Sequence, residues 1–403
     1  MDTHSNPAYC SNELYTLLSR MMSDSQFRED VDRKMNQICS MIENGYQIEK
    51  IGKSIKIPTV ELPILFDLAK SRIKVRNKYE KYDRVFLDSY SASYSTPQNV
   101  AVYRSFKLKG RKILDIGCGA GMQSIFLSMN SAVTGIDMSR DRILMAKLNN
   151  IALSGKANFT WADGLNLNIK KGDYDTIYCD PLRAAGSQER KLEELQPDPV
   201  LIVEKYGNYV KDFVFDLPPF LDKAKLDKLP GTLEYLSVNG QLARLTLYYG
   251  ENKERKFEAV MPDKDQFFSG NKFEEPMISD KIMKFLFIPD PALFYSDLHS
   301  NYCNKLGLRL ITEEKRKAIY SGEFIPDDFM GEVFKVNTTC QEEKLHDYLR
   351  RESIGKIILR YSSHMYYEEK RGIEKDLSGN KTAHLFKIGD DIVICEKLLN
   401  QSA

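Results

Sequence analysis

The sequence predicts an α/β protein built around a parallel sheet, and three observations indicate this fold class. Short apolar runs alternate with helical stretches between about residues 110 and 250, which is the pattern of β-α-β units. Each of the five runs up to residue 215 ends at or beside an aspartate or a loop signal. Further along, Asn239-Gly240 separates two apolar runs and predicts an antiparallel hairpin. We therefore expect parallel strands closed by one antiparallel hairpin.

The predicted elements divide the chain into three regions. Residues 1–86 carry apolar stripes at helical spacing and predict a helical N-terminal region. Residues 87–280 contain the sheet, and residues 281–403 mix strand and helix patterns typical of a small α+β domain. The predicted strands of the sheet are 113–114, 132–136, 159–162, 176–179, 213–215, 236–238 and 242–249. In the last region we expect a helix at 342–351 and strands at 332–336, 356–361, 384–388 and 392–395.

Composition narrows the functional classes. The chain has 403 residues, a net charge of +1 and no apolar stretch near the roughly 18 residues that a membrane span needs. Its first residues lack the pattern of a signal peptide, so we predict a cytoplasmic protein without membrane partners. Seven scattered cysteines without a C-x-x-C pair indicate reduced thiols, and all five histidines lie outside residues 87–280. A metal site or a histidine-based triad is therefore not expected.

A glycine-rich loop follows the first predicted strand. The strand is followed by Asp115, and then Gly117, Gly119 and Gly121 alternate, with Cys118 between the first two. Glycines let the backbone turn sharply and approach a ligand that side chains would exclude. The G-x-G-x-G spacing differs from the G-x-G-x-x-G of dinucleotide sites. A carboxylate at this strand end would repel a pyrophosphate but suits the ammonium group of a methionine moiety.

Acidic residues also follow the next two predicted strands. Asp137, followed by Met138, can accept hydrogen bonds from both hydroxyls of a ribose. The following strand ends at Asp163-Gly164, which is placed to bond an adenine amino group. Glycine and aspartate are also ordinary turn residues. Three acid-terminated strands in succession nevertheless favour a ligand site, because ligands of open α/β sheets bind at the carboxyl ends of the strands.

With these motifs the sequence resembles class I S-adenosylmethionine-dependent methyltransferases, and more narrowly those that carry a THUMP-like C-terminal domain. The resemblance covers roughly residues 88–400 through the order and spacing of the glycine loop and the segments 87–93, 180–183, 193–198, 230–234, 237–240 and 289–292. It implies a Rossmann-like sheet, S-adenosylmethionine as cofactor and a THUMP-like fold for residues 281–403.

The fourth predicted strand ends at Asp180-Pro181, the position where this fold presents its substrate to the methyl group. Methyl transfer is an in-line displacement from an activated donor, so that alignment contributes most and a base is needed only for a tightly held proton. Asp180 is the candidate base, or the hydrogen-bond acceptor for an N–H or O–H of the substrate. Arg183 either binds a phosphate or the cofactor carboxylate, or is a solvated loop arginine. A second acid, Asp216, precedes Leu217-Pro218-Pro219 and is read as a strand end stopped by prolines.

Two features bear on partners. Residues 70–84 carry seven basic and two acidic side chains with Tyr79 and Tyr82, so that Lys74 and Arg76 are candidate phosphate contacts. A solvated helix face explains the same pattern. THUMP domains are associated with RNA-modifying enzymes, so the resemblance implies an RNA substrate by analogy. Arg350, Arg351, Lys356 and Arg360 are further candidates in the tail, with a surface helix and strand edge as the alternative.

The sequence thus predicts a methyltransferase acting on RNA. Asp115 and the glycine loop hold the methionine part, Asp137 the ribose and Asp163 the adenine, while Asp180-Pro181 faces the acceptor. One alternative is a methyltransferase for a small molecule or protein. Another is a noncatalytic RNA-binding protein that retains the cofactor fold. The oligomeric state and the methylated atom are left open.

Overall fold

The computed structural model describes residues 11–183, 192–221, 226, 229–250, 254–361 and 363–398. These residues form two compact units, one within Met1–Gly231 and Thr246–Glu254, the other within Thr232–Leu245 and Arg255–Ala403. This division differs from the predicted boundaries at residues 86 and 280. The N-terminal helices belong to the unit that contains the parallel sheet, and the second unit begins at the predicted hairpin.

In the part of the chain that the structure describes, the first unit begins with six α-helices, after which strands and helices alternate up to its third strand. Its elements are α1 Ser11–Ser23, α2 Ser25–Glu43, α3 Ile48–Ile55, α4 Leu62–Lys74, α5 Ser89–Tyr94, α6 Gln98–Lys107, β1 Lys112–Ile116, α7 Met122–Leu127, β2 Ala132–Asp137, α8 Arg140–Ala152, β3 Asn158–Trp161, β4 Thr176–Cys179, β5 Leu182–Arg183, β6 Leu195–Gln196, α9 Pro199–Tyr206 and β7 Asp212–Leu217.

The strands of this unit run in the order β3-β2-β1-β4-β7, and each neighbouring pair is parallel. Asp115 pairs in register with Gly135 on one side and Tyr178 on the other. Because all five strands are parallel, their carboxyl ends lie at one edge of the sheet, where the loops after β1, β2 and β4 meet. The predicted parallel direction of these strands is confirmed, and their order in the sheet is a finding of the structure.

The N-terminal helices share a hydrophobic core with the helices of the sheet region. Buried Leu14, Leu18 and Met21 of α1 belong to the same cluster as Met145 and Leu148 of α8. The apolar stripes predicted for residues 1–86 are therefore buried, but against α7 and α8 rather than within a separate unit. Amphipathic helices of this length need such a partner, since burial of the apolar face supplies most of their stability.

The second unit is rich in antiparallel strands. Its elements are β8 Thr232–Val238, β9 Gln241–Tyr249, which continues into the first unit, β10 Lys256–Met261, β11 Gln266–Gly270, β12 Phe285–Pro289, α10 Pro291–Tyr295, α11 His299–Lys305, β13 Arg309–Glu314, β14 Lys317–Gly322, β15 Gly331–Cys340, α12 Glu342–Arg351, β16 Ile354–Leu359, α13 Tyr366–Glu374, β17 Lys381–Ile388 and β18 Asp391–Leu398.

Asn239 and Gly240 form the predicted turn between β8 and β9, with φ angles of 52° and 71°. Positive angles at both central positions are those of a type I′ hairpin turn. Beyond it, seven strands form a sheet in the order β13-β14-β12-β15-β18-β17-β16, in which only β16 and β17 are parallel. The α+β character predicted for residues 281–403 is confirmed, including a helix at Glu342–Arg351.

Candidate active site

A cavity of about 300 Å³ lies in the first unit, at the carboxyl ends of β1, β2 and β4. Cofactor and substrate sites in proteins have volumes from about 300 Å³ upward. The cavity is lined by the loop after β1, the residues after β2 and β4, and helix α5 with the residues that follow it. Its lining residues are Tyr90, Ser91, Tyr94, Ser95, Thr96, Asp115, Gly117, Cys118, Gly119, Ala120, Met122, Gln123, Asp137, Ser139, Arg142, Tyr178, Asp180, Leu182, Gln196 and Pro197.

The glycine loop has the backbone that only glycine adopts without strain. Gly117, Gly119 and Gly121 have φ angles of 76°, 54° and 81°. A Cβ atom added at Gly117 or Gly119 would meet no other atom within 4 Å. At Gly121 the added atom would lie 2.7 Å from the Cβ of Ala146 in α8. The first two glycines therefore keep the loop surface bare beside the cavity, while the third allows close packing of loop and helix.

Asp115 lies at the floor of this cavity and is 2% exposed. The hydroxyl of Ser124 donates a hydrogen bond to its Oδ2 atom. Burial raises the pKa of Asp115 to about 7, and the nearby carboxylates of Asp180 and Asp137 act in the same direction. A positively charged ligand group would favour the ionised form, so this position suits a cation.

Asp137, the last residue of β2, contacts the glycine loop. Its Oδ2 atom accepts a hydrogen bond of 2.9 Å from the backbone N–H of Gly119, and its Oδ1 atom accepts one of 2.8 Å from Ser139. Ser139 in turn caps α8 by accepting from the N–H of Arg142. Both carboxylate oxygens are thereby fixed in place, and each keeps lone pairs for a further donor such as a hydroxyl.

Asp180 follows β4 and lines the cavity, half-buried beside Leu182. Pro181 is buried between them. The structure therefore brings Asp180 to the same cavity as Asp115, Asp137 and the glycine loop, as the sequence predicts. The side chain of Arg183 lies outside the described residues.

A buried ionic network behind the cavity was not predicted from the sequence. Arg104 of α6 is fully buried, and its Nη1 atom donates to the Oδ2 of Asp216 at 2.5 Å. The hydroxyl of Tyr178 donates to the same oxygen at 2.7 Å, and the Nη2 of Arg104 donates to Thr246 at 2.8 Å. Asp216, read from the sequence as a strand end, is thus an ion-pair partner. Nothing in the pattern of α6 distinguishes Arg104 from a surface arginine.

Helix α5 supplies cavity residues to which sequence analysis gave no role. Tyr90 and Tyr94 line the cavity, and their ring centroids are 4.8 Å apart. Arg142 lies over the Tyr90 ring and pairs with Asp88 at 2.5 Å. The segment 87–93 contributes to the family resemblance, and this is the signal that could have identified these residues.

Four predicted cofactor residues, Gly121, Met138, Asp163 and Gly164, are not among those that line the cavity. Met138 is 70% exposed, and its carbonyl accepts a 2.7 Å hydrogen bond from the indole N–H of Trp161. The carboxylate of Asp163 accepts hydrogen bonds from the N–H of Leu165 and the side-chain amide of Asn166. Gly164 packs against Ile116, where an added Cβ would lie 2.4 Å from a methyl group. The adenine contact assigned to Asp163 stays a prediction.

The basic stretch at residues 70–84 does not form a continuous cationic face. Arg72 is buried and pairs with Asp32 at 2.5 Å, and Arg76 pairs with Glu43 at 2.8 Å. Lys74 donates to the hydroxyl of Ser93. Tyr79 is 3% exposed and donates its hydroxyl proton to the carbonyl of Thr96, so that stacking of a base on this ring is excluded. The contacts proposed for Lys74 and Arg76 stay predictions.

The basic candidates of the second unit have different surroundings. Arg360 makes two hydrogen bonds to Glu332 and one to His384, so its guanidinium is largely used within the fold. Arg350 lies near Asp376 at 3.7 Å, and Arg351 pairs with Glu352. Lys356 is exposed on β16.

Two further findings concern membranes and metals. Within the described ranges, no helix is both long and apolar enough to cross a membrane. Those same residues contain no group of three or more histidine, cysteine, aspartate or glutamate side chains that could hold a metal ion.

Comparison with known proteins finds similarity to methyltransferases over part of the chain. Residues 113–196 match a family model described as a methyltransferase domain. This segment contains β1 to β4, the glycine loop, Asp137 and Asp180. The similarity to methyltransferase domains therefore lies in the segment that contains the glycine loop of the cavity.

Curated relatives match about a quarter of the chain. The ubiquinone biosynthesis O-methyltransferase of Coxiella burnetii is 31% identical over 111 residues, which are 27% of this chain and 43% of that protein. The enzyme of the same name from Bordetella avium is 29% identical over 106 residues, or 26% of this chain and 40% of the relative. The chain therefore spans less than half the length of these relatives.

A solved structure matches most of the chain. A candidate methyltransferase from Porphyromonas gingivalis W83 superposes with a TM-score of 0.72 at 19% identity, covering 85% of this chain and 92% of that one. At this identity the similarity establishes the fold alone. The chain therefore shares its mixed α/β fold with that protein, including residues of both units.

Proposed function

We propose that this protein is an S-adenosylmethionine-dependent methyltransferase whose active site is the cavity of the first unit. The observation that carries the proposal is the glycine loop between two aspartates. Gly117 and Gly119 leave the loop surface bare, Asp115 lies beneath it, and Asp137 holds the loop through the N–H of Gly119. A bare backbone bend flanked by carboxylates fits a nucleoside that carries a cationic sulfur and an ammonium group.

The residues of the cavity fit this cofactor in three respects. Asp137 keeps lone pairs on both oxygens for the ribose hydroxyls. Asp115 and Asp180 provide the negative charge that a sulfonium and an ammonium group require. The cavity lining also holds two buried polar atoms without a hydrogen-bond partner in the described structure, on Ser95 and Gln123, which a polar ligand would satisfy.

When bound, S-adenosylmethionine supplies a methyl group on a positively charged sulfur, already activated for displacement. The protein's own contribution is to hold the acceptor in line with that group, since alignment lowers the barrier of such a reaction. Asp180 lines the cavity at the end of β4 and accepts the proton that an N–H or O–H acceptor loses. Arg104 and Tyr178, anchored on Asp216, keep the end of β4 in place.

Cofactor binding can be tested with the chain's single tryptophan. Trp161 pairs in register with Asp137 and donates to the carbonyl of Met138, so it reports on the loop after β2. We expect S-adenosylhomocysteine to change its fluorescence saturably, and Asp137→Ala to weaken that response. A parent protein that shows neither a fluorescence change nor heat on titration would refute the proposal.

For the acceptor we propose RNA, as the resemblance of the tail to THUMP-like domains implies. In the tail, Lys356 is exposed and could contact RNA. The arginines at 350, 351 and 360 each pair with an acidic side chain, so they add little support for an RNA contact. A small molecule is the second candidate, favoured by the similarity of about a quarter of the chain to enzymes named for ubiquinone biosynthesis. The cytoplasm remains the predicted location.

The two acceptors can be separated by transfer of a labelled methyl group. Cellular RNA, protein and metabolite fractions are each incubated with the purified protein and labelled S-adenosylmethionine. Label in RNA that disappears with Asp180→Asn supports the first candidate. Label confined to metabolites would reject RNA, and label in no fraction from a protein that binds cofactor would favour a noncatalytic role.

A further inference from the structure

Two buried hydrogen-bond donors face the cavity without an acceptor. Among the described residues, the side-chain nitrogen Nε2 of Gln123 and the hydroxyl of Ser95 are buried and have no hydrogen-bond partner. Both residues line the cavity, and Gln123 is only 7% exposed. Buried polar groups in folded proteins are almost always paired, so each of these two atoms needs an explanation.

The orientation of the Gln123 amide is fixed by Arg104. The Nη1 atom of Arg104 lies 3.4 Å from the Oε1 atom of Gln123 and donates to it. Arg104 is itself held by Asp216 and Thr246. Because a guanidinium only donates, the amide oxygen must face it and the amide nitrogen is left for the cavity. Arg104 is therefore a positioning residue that acts through Gln123.

The charges around the cavity indicate which ligand group these donors suit. Three carboxylates line it, those of Asp115, Asp137 and Asp180. Arg142 is the one basic side chain in the described lining, and it is already paired with Asp88. Positively charged ligand groups are favoured near the aspartates. A ligand carboxylate is repelled there and needs neutral donors elsewhere in the same cavity.

We propose that Gln123 Nε2 and Ser95 Oγ donate hydrogen bonds to the carboxylate at the methionine end of S-adenosylmethionine. This assignment rests on the proposed function and extends it, because it names the residues that make the site specific for a donor with a free carboxylate. Recognition then depends on a neutral amide and a hydroxyl, with Arg104 behind the amide, and needs no direct contact with a basic side chain.

The test compares two ligands that differ only in the carboxylate, S-adenosylmethionine and its decarboxylated form. Gln123→Glu is the sharpest variant, since it keeps an oxygen for Arg104 and replaces only the donating NH2 by a second oxygen. By calorimetry we expect Gln123→Glu to bind S-adenosylmethionine about 10- to 100-fold more weakly than the parent. Binding of the decarboxylated ligand is expected to change by less than about threefold.

Ser95→Ala is tested with the same two ligands, and its expected effect on affinity is smaller. It is expected to weaken S-adenosylmethionine about fivefold or more and to leave the decarboxylated ligand nearly unaffected. Ser128→Ala is the matched control, because Ser128 caps the other end of α7 and its hydroxyl donates to the carbonyl of Ile125. Circular dichroism verifies folding, and if Gln123→Glu does not fold, Ser95→Ala decides the question.

The outcomes separate this assignment from the proposed function. A parent that binds neither ligand refutes the methyltransferase proposal itself. A parent that binds both ligands equally well, or variants that weaken both ligands by the same factor, overturns the carboxylate assignment alone. Unchanged binding of S-adenosylmethionine by Gln123→Glu together with a raised KM for the acceptor would assign these donors to the acceptor instead.

Discussion

The carboxyl group of Asp115 combines burial with three acidic neighbours. Burial contributes most to its raised pKa of about 7, and the carboxylates of Asp180, Asp137 and Asp216 add to it. In the free protein the group is therefore largely protonated at pH 6 and largely ionised at pH 8. Only the ionised form attracts a cationic ligand, so cofactor affinity depends on pH across this range.

We expect the affinity for S-adenosylmethionine to rise about tenfold between pH 6 and pH 8, because the ionised fraction of a group with a pKa near 7 rises by that factor. Isothermal titration at several pH values measures this. Asp115→Asn removes the titrating group, so its affinity should be lower and nearly constant with pH. An equal pH dependence in parent and variant would show that another group is responsible.

Substitutions of Asp180 and Asp137 should have different effects on the rate of methyl transfer and on cofactor affinity. If Asp180 accepts a proton from the acceptor, Asp180→Asn lowers the rate of methyl transfer about 10²- to 10⁴-fold. Its affinity for S-adenosylhomocysteine should fall much less than the rate, because the isosteric amide preserves the shape of the cavity and this ligand lacks the sulfonium charge. Asp137→Asn should instead weaken cofactor binding, since an amide nitrogen would face the N–H of Gly119 or Ser139. Single-turnover assays with calorimetry distinguish the two patterns.

At the scale of elements, the glycine loop joins β1 to α7, and its glycines have different roles. Gly117 leaves open space beside the loop, whereas Gly121 allows close packing against α8 and β3. Gly117→Ala places a methyl group in open space at a positive φ, with an expected cost of about 1–2 kcal/mol of folding free energy and a loss of cofactor affinity. Gly121→Ala adds a clash with Ala146 and Phe159 and should cost more, about 3 kcal/mol or above. Urea denaturation measures both. Equal costs would contradict the assigned roles.

The ionic network connects α6 with β4, β7 and the end of β9. Replacing Arg104 by methionine removes the guanidinium paired with the buried Asp216, and breaking a buried ion pair typically costs about 3–5 kcal/mol. Thr246→Val removes only a neutral hydroxyl from the same network and should cost about 1–2 kcal/mol. Chemical denaturation provides the comparison. A similar loss for both variants would mean that the charge pair contributes little.

At the scale of the whole molecule, every residue that lines the cavity belongs to the first of the two units. We therefore expect S-adenosylhomocysteine to slow hydrogen exchange in the glycine loop, in α5 and in the residues after β2. Peptides from β12 to β18 should exchange at unchanged rates. Hydrogen-exchange mass spectrometry measures this, and protection confined to the second unit would place the ligand elsewhere.

Much of the fold follows from local pattern. The strands β1, β2, β4 and β7 were predicted within two residues of their bounds, because buried parallel strands read as apolar runs between loop signals. The hairpin of β13 and β14 was missed, since charged residues 313–317 interrupt its apolar pattern. These strands exist because they pair in the sheet beside β12, which is a long-range contact that local sequence does not encode.

The sequence alone determined the parallel strands, the glycine loop and the aspartates at the strand ends, since each depends on spacing within a few dozen residues. Tertiary structure decided which distant residues join that site. Arg104, Gln123 and Ser95 gained their roles only because packing buries them beside the same cavity, and Tyr79 lost its predicted role because packing buries its ring. Burial removes a polar side chain from water, so that it needs a partner within the fold or a bound ligand. Burial is a property of the folded chain and cannot be read from local sequence.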